Sequence, residues 1–271
     1  MTITWFNGAL VDGPLALNAA DRGLTLGDGL FETIAVHGKH AVWLDEHVAR
    51  MAAATQELGI DFDEASVRRG VAAVLAKSIF KSGVLRITLT RGVVTPRALT
   101  GTGHAPSLLI RLAAFEAALH QSLTLAVSSI RRNETAPSCR LKTLSYIDNI
   151  AAAREVTARA DDALMLNMAG NVACTTIGNV FLLRGNELIT PQSDQGILCG
   201  ITRAKILNTA TEIGMLAREA IVTVADVLAA DAVFRCNSLR LVSAVTKLDD
   251  KPLGTRSLAA LLNLILERTT P

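Results

Sequence analysis

A polar loop gives way to an amphipathic helix at residues 138–156, which read SCRLKTLSYIDNIAAAREV. The spacing of apolar residues predicts the helix over about 143–159, so Lys142 stands at the junction. A lysine that projects from such a junction into a cleft loses hydration. Its pKa then falls, and its amine becomes usable for Schiff-base chemistry. Taken alone, Lys142 is more simply interpreted as a solvated side chain at the start of a helix.

A second segment predicts a binding site for an anion at the start of another helix. Residues 196–207, GILCGITRAKIL, place Gly200 directly before Ile201 and Thr202. The first turn of a helix offers unpaired N–H groups and the positive end of the helix dipole, which suit a phosphate, and Thr202 adds a hydroxyl. An ordinary capped helix explains the same pattern.

Two more segments place polar groups within apolar elements. In the sequence DEHVARM, Arg50 follows Glu46 by four residues. This spacing indicates either a salt bridge along one helix or an arginine that binds phosphate. In the sequence RCNSLRLVSAV, Asn237 and Ser238 either face a phosphate or carboxylate or form a turn. Neither segment decides between its two interpretations.

The composition excludes several classes of protein. Of the 271 residues, 50% are hydrophobic and 19% are charged, which is typical of a globular chain with one large or two medium domains. The formal net charge is only +2, and no basic stripe for a nucleic acid is present. The four cysteines include no C-x-x-C pair, so we expect reduced thiols in the cytoplasm and no zinc site. We also expect no signal peptide and no membrane span.

The order of the predicted elements indicates an α+β fold with two domains of unequal size. Helices are predicted over 45–58 with Asp45 as its cap, 63–81, 143–159, 200–214 and 256–268, and strands fill most of the chain between them. The segment 91–106 is rich in Gly, Pro and Thr, which predicts a long functional loop. We expect a small N-terminal domain over 1–114, a linker over 115–121, and a larger domain over 122–271 that carries Lys142.

Several segments occur in an order that resembles one enzyme family. They are DRGLTLGDGLFETI (21–34), the H-x-x-R pair at 47 and 50, TRGVVTPR (90–97), LKTLSYIDN (141–149), GNVF (178–181), GILCGITR (196–203) and VFRCNSL (233–239). Nearly the whole chain is similar in this way to class IV aminotransferases, the fold-type IV pyridoxal-phosphate (PLP) enzymes. The group includes branched-chain and D-amino acid aminotransferases and 4-amino-4-deoxychorismate lyases. The resemblance implies PLP as cofactor, a small α/β domain with a larger pseudo-barrel domain, and a homodimer.

The resemblance also implies residues that hold the cofactor. Lys142 matches the lysine that forms the Schiff base with PLP and moves a proton during the reaction. Arg50 matches the arginine that binds the cofactor phosphate. The backbone of Ile201 and Thr202, with the Thr202 hydroxyl, completes that phosphate site. Ser238 matches a threonine that also contacts the phosphate.

Other matched residues imply contacts with the ring or the substrate. Tyr146 matches the tyrosine that hydrogen-bonds the phenolic oxygen of the cofactor in branched-chain enzymes. Arg97 matches an arginine that binds a substrate carboxylate in the D-amino acid and lyase branches, although a surface arginine without a role explains it equally. We expect Asn237 to hold a second carboxylate and Phe31 to contact the substrate.

The sequence departs from the family at one position. The family places a glutamate opposite the pyridine nitrogen, in a block that reads G-x-V-x-E-x-x-x-x-N-x-F. Here the block is GNVACTTIGNVF, residues 170–181, and Cys174 occupies the glutamate position, with no Asp or Glu between 163 and 186. A carboxylate keeps the ring nitrogen protonated and the ring a strong electron sink. A thiol is a weak, neutral partner, which makes Cys174 a further expected contact of the cofactor.

This departure favours elimination, because a reaction with a good leaving group depends less on a strong electron sink. The short chain, the DRGLTLGDGLFET block and the Cys236-Asn237 step are similar to lyases that convert 4-amino-4-deoxychorismate to 4-aminobenzoate and pyruvate in folate biosynthesis. LKTLSYIDN and GILCGITR are closer to the aminotransferases, whereas Leu99 stands where the D-amino acid branch usually has a histidine. Two alternatives remain open. One is an aminotransferase for D-amino acids, branched-chain amino acids or R-amines, and the other is a PLP-binding paralogue with little turnover.

Overall fold

The computed structural model describes residues 2–94, 99–100, 104–117, 121–257, 263–264 and 267. The chain divides into two compact units. The described residues of the first unit lie in Met1–Glu116 and Leu141–Ser145, and those of the second in Ala117–Arg140 and Tyr146–Thr269. Both units contain helices and a sheet, which is antiparallel in the first unit and mixed in the second, and this confirms the predicted α+β class.

The first unit is a six-stranded antiparallel sheet in the order β2-β1-β6-β5-β3-β4. Its elements are β1 (Thr2–Phe6), β2 (Ala9–Val11), α1 (Arg22–Leu26), β3 (Gly29–His37), β4 (His40–Ala41), α2 (Leu44–Leu58), α3 (Glu64–Lys77), β5 (Ser82–Val94) and β6 (His104–Ala114). Strand residues alternate between the two faces of a sheet. One set, which includes Ile34, Ile87 and Ile110, is therefore buried with residues of α2 and α3 such as Met51 and Val71.

The structure corrects two local predictions in this unit. The N-cap of α2 is Trp43, in the left-handed region at φ 52°, and Asp45 lies in the first turn of the helix. The predicted long loop over 91–106 is shorter, because β5 continues to Val94 and β6 begins at His104. A register shift at Gly92, with φ +74°, allows the two strands to stay paired, since a side-chain carbon there would lie 1.8 Å from the Ala105 carbonyl oxygen.

The segment Leu141–Ser145 belongs to the first unit, because it pairs with β3. Thr143 forms an antiparallel bridge with Leu30. The predicted helix start at 143 is therefore wrong, and α5 begins at Ile147. The expectation that the larger C-terminal domain carries Lys142 also differs from the structure. The segment is grouped with the first unit because its backbone pairs with β3, although it follows that unit's other elements in sequence. The linker over 115–121 remains a prediction, and residues 118–120 lie outside the described part of the chain.

The second unit is built on a nine-stranded sheet. Its elements are β7 (Leu123–Val127), α4 (Pro137–Arg140), α5 (Ile147–Val156), β8 (Asp162–Leu166), β9 (Val172–Thr175), β10 (Asn179–Arg184), β11 (Glu187–Pro191), α6 (Ile201–Glu212), β12 (Leu216–Ala220), α7 (Val224–Leu228), β13 (Ala232–Asn237), β14 (Leu241–Leu248) and β15 (Lys251–Pro252). The strand order is β12-β11-β10-β13-β14-β7-β8-β9, with β15 paired to β14. Most of the predicted closing helix over 256–268 lies outside the described residues. Within the described part, no helix is both long and apolar enough to span a membrane.

Candidate active site

Lys142 is held on an extended segment by backbone hydrogen bonds to β3. The Phe31 N–H donates to the Lys142 carbonyl at 2.9 Å, and the Leu144 N–H donates to the Gly29 carbonyl at 2.9 Å. A side-chain carbon on Gly29 would lie 2.9 Å from Leu144 Cδ1 and 2.5 Å from a backbone oxygen of β5. Glycine at this position therefore allows the segment to approach closely, and the lysine backbone is fixed as firmly as a strand residue.

The Lys142 amine and the Arg86 guanidinium both lie over the ring of Phe31. Its Nζ lies 4.3 Å from the centroid of the buried Phe31 ring, and the guanidinium carbon of Arg86 lies 3.8 Å from the same centroid. Burial lowers the pKa of the Lys142 amine to about 8; the charge of Glu32 opposes this change, and those of Arg50 and Arg86 add to it. A neutral amine is thus accessible near neutral pH, as a nucleophile or a base requires.

A buried carboxylate, Glu32, lies on the other face of β3, where α2 supplies two partners. Arg50 donates to both of its oxygens, through Nε at 2.8 Å and Nη2 at 2.6 Å. The Nδ1 atom of His47 lies 2.6 Å from Glu32 Oε2. The sequence pointed to Glu46 as the partner of Arg50 and missed Glu32. The available signal was a single carboxylate within the apolar strand LFETIAV.

The two pKa shifts in this cluster have clear causes. Burial by itself would raise the pKa of Glu32, but hydrogen bonds from His47 and Arg50 bring it below its ordinary value. Burial lowers the pKa of His47, although its hydrogen bond to Glu32 opposes the change. Glu32 is therefore ionised and His47 neutral, with Nδ1 donating to Glu32. The Nε2 atom of His47 has no hydrogen-bond partner among the described residues.

In the second unit, the start of α6 presents an unpartnered hydroxyl. Thr202 is 1% exposed, and its Oγ1 has no hydrogen-bond partner in the described part of the chain. Gly200 is the N-cap of this twelve-residue helix and supplies no side chain to its first turn. A side-chain carbon on Gly200 would lie 2.2 Å from Asn179 Oδ1, whose amide donates to the Leu198 carbonyl at 2.8 Å. The turn is thus closely packed, and its N–H groups and hydroxyl suit an anion.

Cys174 lies on β9 opposite Met165 of β8 and packs against Ile197. Its side chain is buried, and burial raises the pKa of the thiol to about 11, with a smaller opposing effect from the charge of Arg132. The thiol is therefore neutral at physiological pH.

The nearest carboxylate along the chain does not replace the missing glutamate. Asp162 is 3% exposed and accepts a hydrogen bond from the Thr176 hydroxyl through Oδ1. Its Oδ2 pairs with Arg235 at 3.1 Å. Both oxygens of Asp162 are thus committed within the second unit.

The predicted contacts at Asn237 and Ser238 lie at a turn between β13 and β14. Asn237 Oδ1 accepts hydrogen bonds from the N–H groups of Leu239 at 3.1 Å and Arg240 at 2.9 Å. The amide oxygen therefore stabilises the turn, as one of the two interpretations of the sequence expected. The turn leaves Ser238 partly buried.

Of two other predicted site residues, the structure describes Tyr146 but not Arg97. Tyr146 is the N-cap residue of α5 and is partly buried. Arg97 falls in 95–98, outside the described residues, so its role stays a prediction.

One groove of the first unit is not part of the predicted site. It has a volume of about 400 Å³ and lies at the start of α3, lined by Asp61, Phe62, Asp63 and neighbouring residues of β5 and β6. Neither Lys142 nor Arg50 lines this groove. Across the described residues, no cluster of three His, Cys, Asp or Glu side chains is placed to hold a metal, and none of the four cysteines forms a disulfide.

Comparison with known proteins identifies the family. The sequence model of the family described as amino-transferase class IV matches residues 29–248. The chain belongs to this family. The class IV chain is 29% identical over 254 residues to a D-alanine aminotransferase of Bacillus licheniformis, covering 92% of this chain and 89% of that protein. It is also 29% identical over 250 residues to an aminodeoxychorismate lyase of Bacillus subtilis (strain 168), covering 89% and 84%.

The solved structures agree with this assignment. The crystal structure of a 4-amino-4-deoxychorismate lyase from Pseudomonas aeruginosa is similar with a TM-score of 0.87 and 28% identity, over 97% of this chain and 98% of that chain. The predicted fold-type IV architecture is confirmed. Class IV enzymes use PLP, so this chain is a PLP-dependent enzyme.

The groups in each unit fit parts of PLP. In the first unit, the Lys142 amine with its lowered pKa suits the aldehyde carbon of the cofactor. In the second unit, the unpartnered Thr202 hydroxyl at the start of α6 suits the phosphate. Cys174 fits the ring nitrogen only in its neutral form, because the neutral thiol cannot stabilise a positive charge there.

Proposed function

We propose that this class IV enzyme is a lyase that converts 4-amino-4-deoxychorismate to 4-aminobenzoate and pyruvate. The observation that carries the proposal is the buried, neutral thiol of Cys174 at the position where the family has a glutamate. Two of the similar proteins are described as lyases of this type, at 29% and 28% identity. In this assignment the chain acts in folate biosynthesis.

A negative charge develops at a substrate carbon during the reaction. When bound, PLP supplies an electron sink for this charge, and the sink is strongest when the ring nitrogen is protonated. The neutral Cys174 thiol gives no support to that proton. In elimination, the charge passes to the departing enolpyruvyl group as its C–O bond breaks, and formation of the aromatic product drives the step. Amino transfer lacks such an outlet.

The residues of the chain have defined tasks in this proposal. Lys142 holds the cofactor and then, as an amine with a lowered pKa, removes the proton from the substrate ring carbon. By family position, Arg50 binds the cofactor phosphate, and so do the backbone N–H groups of Ile201 and Thr202 with the Thr202 hydroxyl. The enolpyruvyl group leaves with its electron pair and becomes pyruvate after it gains a proton.

The remaining site residues are proposed by family position. Tyr146 contacts the phenolic oxygen of the ring and Ser238 contacts the phosphate. Arg97 and the Asn237 amide group bind substrate carboxylates, and Phe31, besides packing under the Lys142 amine, contacts the substrate. We further propose a homodimer in the cytoplasm, a compartment in which cysteines that form no disulfide stay reduced.

A second candidate is an aminotransferase that acts on D-amino acids. It is favoured by the D-alanine aminotransferase of Bacillus licheniformis, which is as similar to this chain as the lyase of Bacillus subtilis, at 29% identity. The two candidates differ in what leaves the substrate. The lyase releases pyruvate and keeps the nitrogen on the aromatic product, whereas the aminotransferase passes nitrogen to a 2-oxo acid.

A substrate panel tests the proposal. The holoenzyme is given 4-amino-4-deoxychorismate, D-alanine, L-leucine or (R)-1-phenylethylamine, and pyruvate release, 4-aminobenzoate fluorescence and the cofactor spectrum are followed. We expect stoichiometric pyruvate and 4-aminobenzoate from the first compound. Amino transfer to 2-oxoglutarate without release of 4-aminobenzoate would overturn the lyase assignment, and no turnover of any compound would favour a paralogue that only binds PLP.

The variant Cys174→Glu tests the observation that carries the proposal. A carboxylate at this position should speed the conversion of the cofactor by D-alanine, relative to 4-aminobenzoate formation, by about tenfold or more. The control is Cys174→Ser, which keeps a small neutral side chain and should leave the ratio unchanged. An unchanged ratio in both folded variants contradicts the role given to the thiol.

A further inference from the structure

Among the described residues of the second unit, three arginines are buried, and one of them has no carboxylate partner there. Arg203 and Arg235 are 4% exposed and Arg132 is 7% exposed. Arg235 pairs with Asp162 at 3.1 Å, and Arg203 pairs with Glu219 at 3.0 Å. Arg132 has no carboxylate partner among the residues that the structure describes. A buried charge of this kind is costly, so its retention calls for a reason.

The hydrogen bonds of Arg132 all go to neutral acceptors. Nε donates to the Gly196 carbonyl at 3.3 Å and Nη1 to Asn149 Oδ1 at 3.1 Å. Nη2 donates to the carbonyls of Cys139 at 3.0 Å and Ser138 at 3.5 Å. These oxygens satisfy the N–H groups and fix the guanidinium, but they do not neutralise its charge. The cation is thus rigidly placed, and none of these bound acceptors compensates its charge.

Arg132 is anchored next to the residue that packs on Cys174: its Nε donates to the Gly196 carbonyl at 3.3 Å, and Ile197 lies in one buried cluster with Cys174. Burial is the main influence on the pKa of Cys174, and Arg132 is the largest charged influence after it. Asp162 and Cys139 act on Cys174 in the opposite direction. The Asp162 carboxylate is paired with Arg235, and burial raises the pKa of Cys139, which keeps that thiol neutral. The charges that act on Cys174 are therefore Arg132, which has no carboxylate partner among the described residues, and Asp162, which is paired; the carboxylates of Glu134 and Asp148 act on the neighbouring Cys139.

We propose that Arg132 is a specificity-determining residue whose uncompensated charge, beside the neutral thiol of Cys174, keeps the ring nitrogen of bound PLP unprotonated. The inference rests on the proposed function, because it takes the family's placement of the ring nitrogen beside residue 174. A cation close to a pyridine nitrogen opposes the addition of a proton through Coulomb repulsion. Where the family has a glutamate, this chain thus has the neutral Cys174 thiol and the nearby positive charge of Arg132. The charge disfavours amino transfer beyond the effect of the thiol alone.

Nuclear magnetic resonance of the holoenzyme, prepared with PLP labelled with ¹⁵N in the ring, measures this protonation without turnover. In the wild-type enzyme near neutral pH we expect the chemical shift of a neutral pyridine nitrogen. In Arg132→Gln the pKa of the ring nitrogen should rise by roughly one unit. The matched control is Arg131→Gln, which removes the same charge from the exposed neighbouring side chain and should leave the chemical shift unchanged.

A second variant separates the charge of Arg132 from its packing. Arg132→Lys keeps the positive charge but cannot reproduce the hydrogen bonds of the guanidinium, so the ring nitrogen should stay neutral. A pyridinium shift in the wild type, or an equal change in Arg132→Lys and Arg132→Gln, overturns the proposal. If Arg132→Gln does not fold, Arg132→Lys decides: a neutral shift supports the role of the charge, and a pyridinium shift contradicts it.

Pyruvate release from the same samples separates this inference from the proposed function. A neutral ring nitrogen without pyruvate release would remove the lyase assignment and leave the role of Arg132 standing. A pyridinium nitrogen with robust pyruvate release would remove the role of Arg132 and leave the lyase assignment standing.

Discussion

Arg50 donates to both carboxylate oxygens of Glu32, at 2.8 Å through Nε and at 2.6 Å through Nη2. The Glu32 side chain is 1% exposed and that of Arg50 is 19% exposed, so the carboxylate holds the guanidinium from its buried side. A bidentate pair fixes the plane of the guanidinium as well as its position. Glu32 therefore determines how Arg50 presents its outer edge, which is the edge proposed to bind the cofactor phosphate.

Replacing Glu32 with glutamine should weaken the binding of PLP but not that of pyridoxal, which lacks the phosphate. The variant keeps the shape of the side chain but loses its charge and one acceptor, so Arg50 is less firmly oriented. We expect the dissociation constant of PLP to rise about tenfold, and the free energy of unfolding of the apoprotein to fall by about 2–4 kcal/mol. Fluorescence titration of the apoprotein and urea unfolding measure the two effects.

The control for this prediction is Glu116→Gln, an exposed glutamate of the same unit. It should change neither quantity. Equal losses of PLP and pyridoxal affinity in Glu32→Gln would show that Glu32 supports the fold without orienting Arg50.

Replacing Lys142 with alanine should abolish the visible absorption band of the cofactor–lysine linkage. Lys142 is the described lysine whose amine has a lowered pKa, about 8, and such an amine reacts with an aldehyde near neutral pH. The spectrum of the variant with one equivalent of PLP should match that of free PLP. Lys81→Ala, at an exposed lysine of the same unit, should keep the band. A retained band in Lys142→Ala would mean that another amine holds the cofactor.

The lowered pKa of Lys142 also predicts how stability depends on pH. Between about 8 in the folded apoprotein and the ordinary value of 10.5, the unfolded chain binds more protons at this residue than the folded chain. The cost of the buried ammonium group is thus fully present below the folded pKa and is lost as the pH approaches the unfolded value. Lys142→Met should be more stable than the wild type at neutral pH, and the difference should shrink across this window.

Urea unfolding of the two apoproteins at several pH values measures that difference. Lys81→Met, at an exposed lysine of the same unit, is the matched control. A constant difference for Lys142→Met would contradict the lowered pKa.

Replacing Thr202 with valine should move stability and cofactor affinity in opposite directions. The Thr202 hydroxyl is buried without a partner among the described residues, so its removal should leave the apoprotein unchanged or more stable by up to about 1 kcal/mol. If the hydroxyl binds the phosphate, the dissociation constant of PLP should rise about tenfold. Thr211→Val, at an exposed position of the same helix, should have no effect on PLP affinity. Unchanged affinity in Thr202→Val would exclude the hydroxyl from the phosphate site.

Much of the fold was predictable because local signals agree with the final structure. The strand LFETIAV, the end of α2 at Gly59 and the start of α6 after Gly200 all lie where their patterns indicate. The start of α5 differs from its prediction at 143, because residues 142–144 pair with β3, which is distant in sequence. Pairing of that kind depends on which edge is available, and periodicity carries no information about it.

The sequence by itself determined the family, the lysine at 142 and the absence of a glutamate at 174, because the motifs that carry these features are contiguous in the chain. Only the tertiary structure decided the electrostatic surroundings of these residues. It placed Glu32 against Arg50 and two cations over the ring of Phe31. It also brought Arg132, which has no carboxylate partner in the described part of the chain, close to Cys174. Burial and charge at a site depend on groups that folding brings together from distant positions. The amine of Lys142 acquires its lowered pKa in this way, and no motif contains that information.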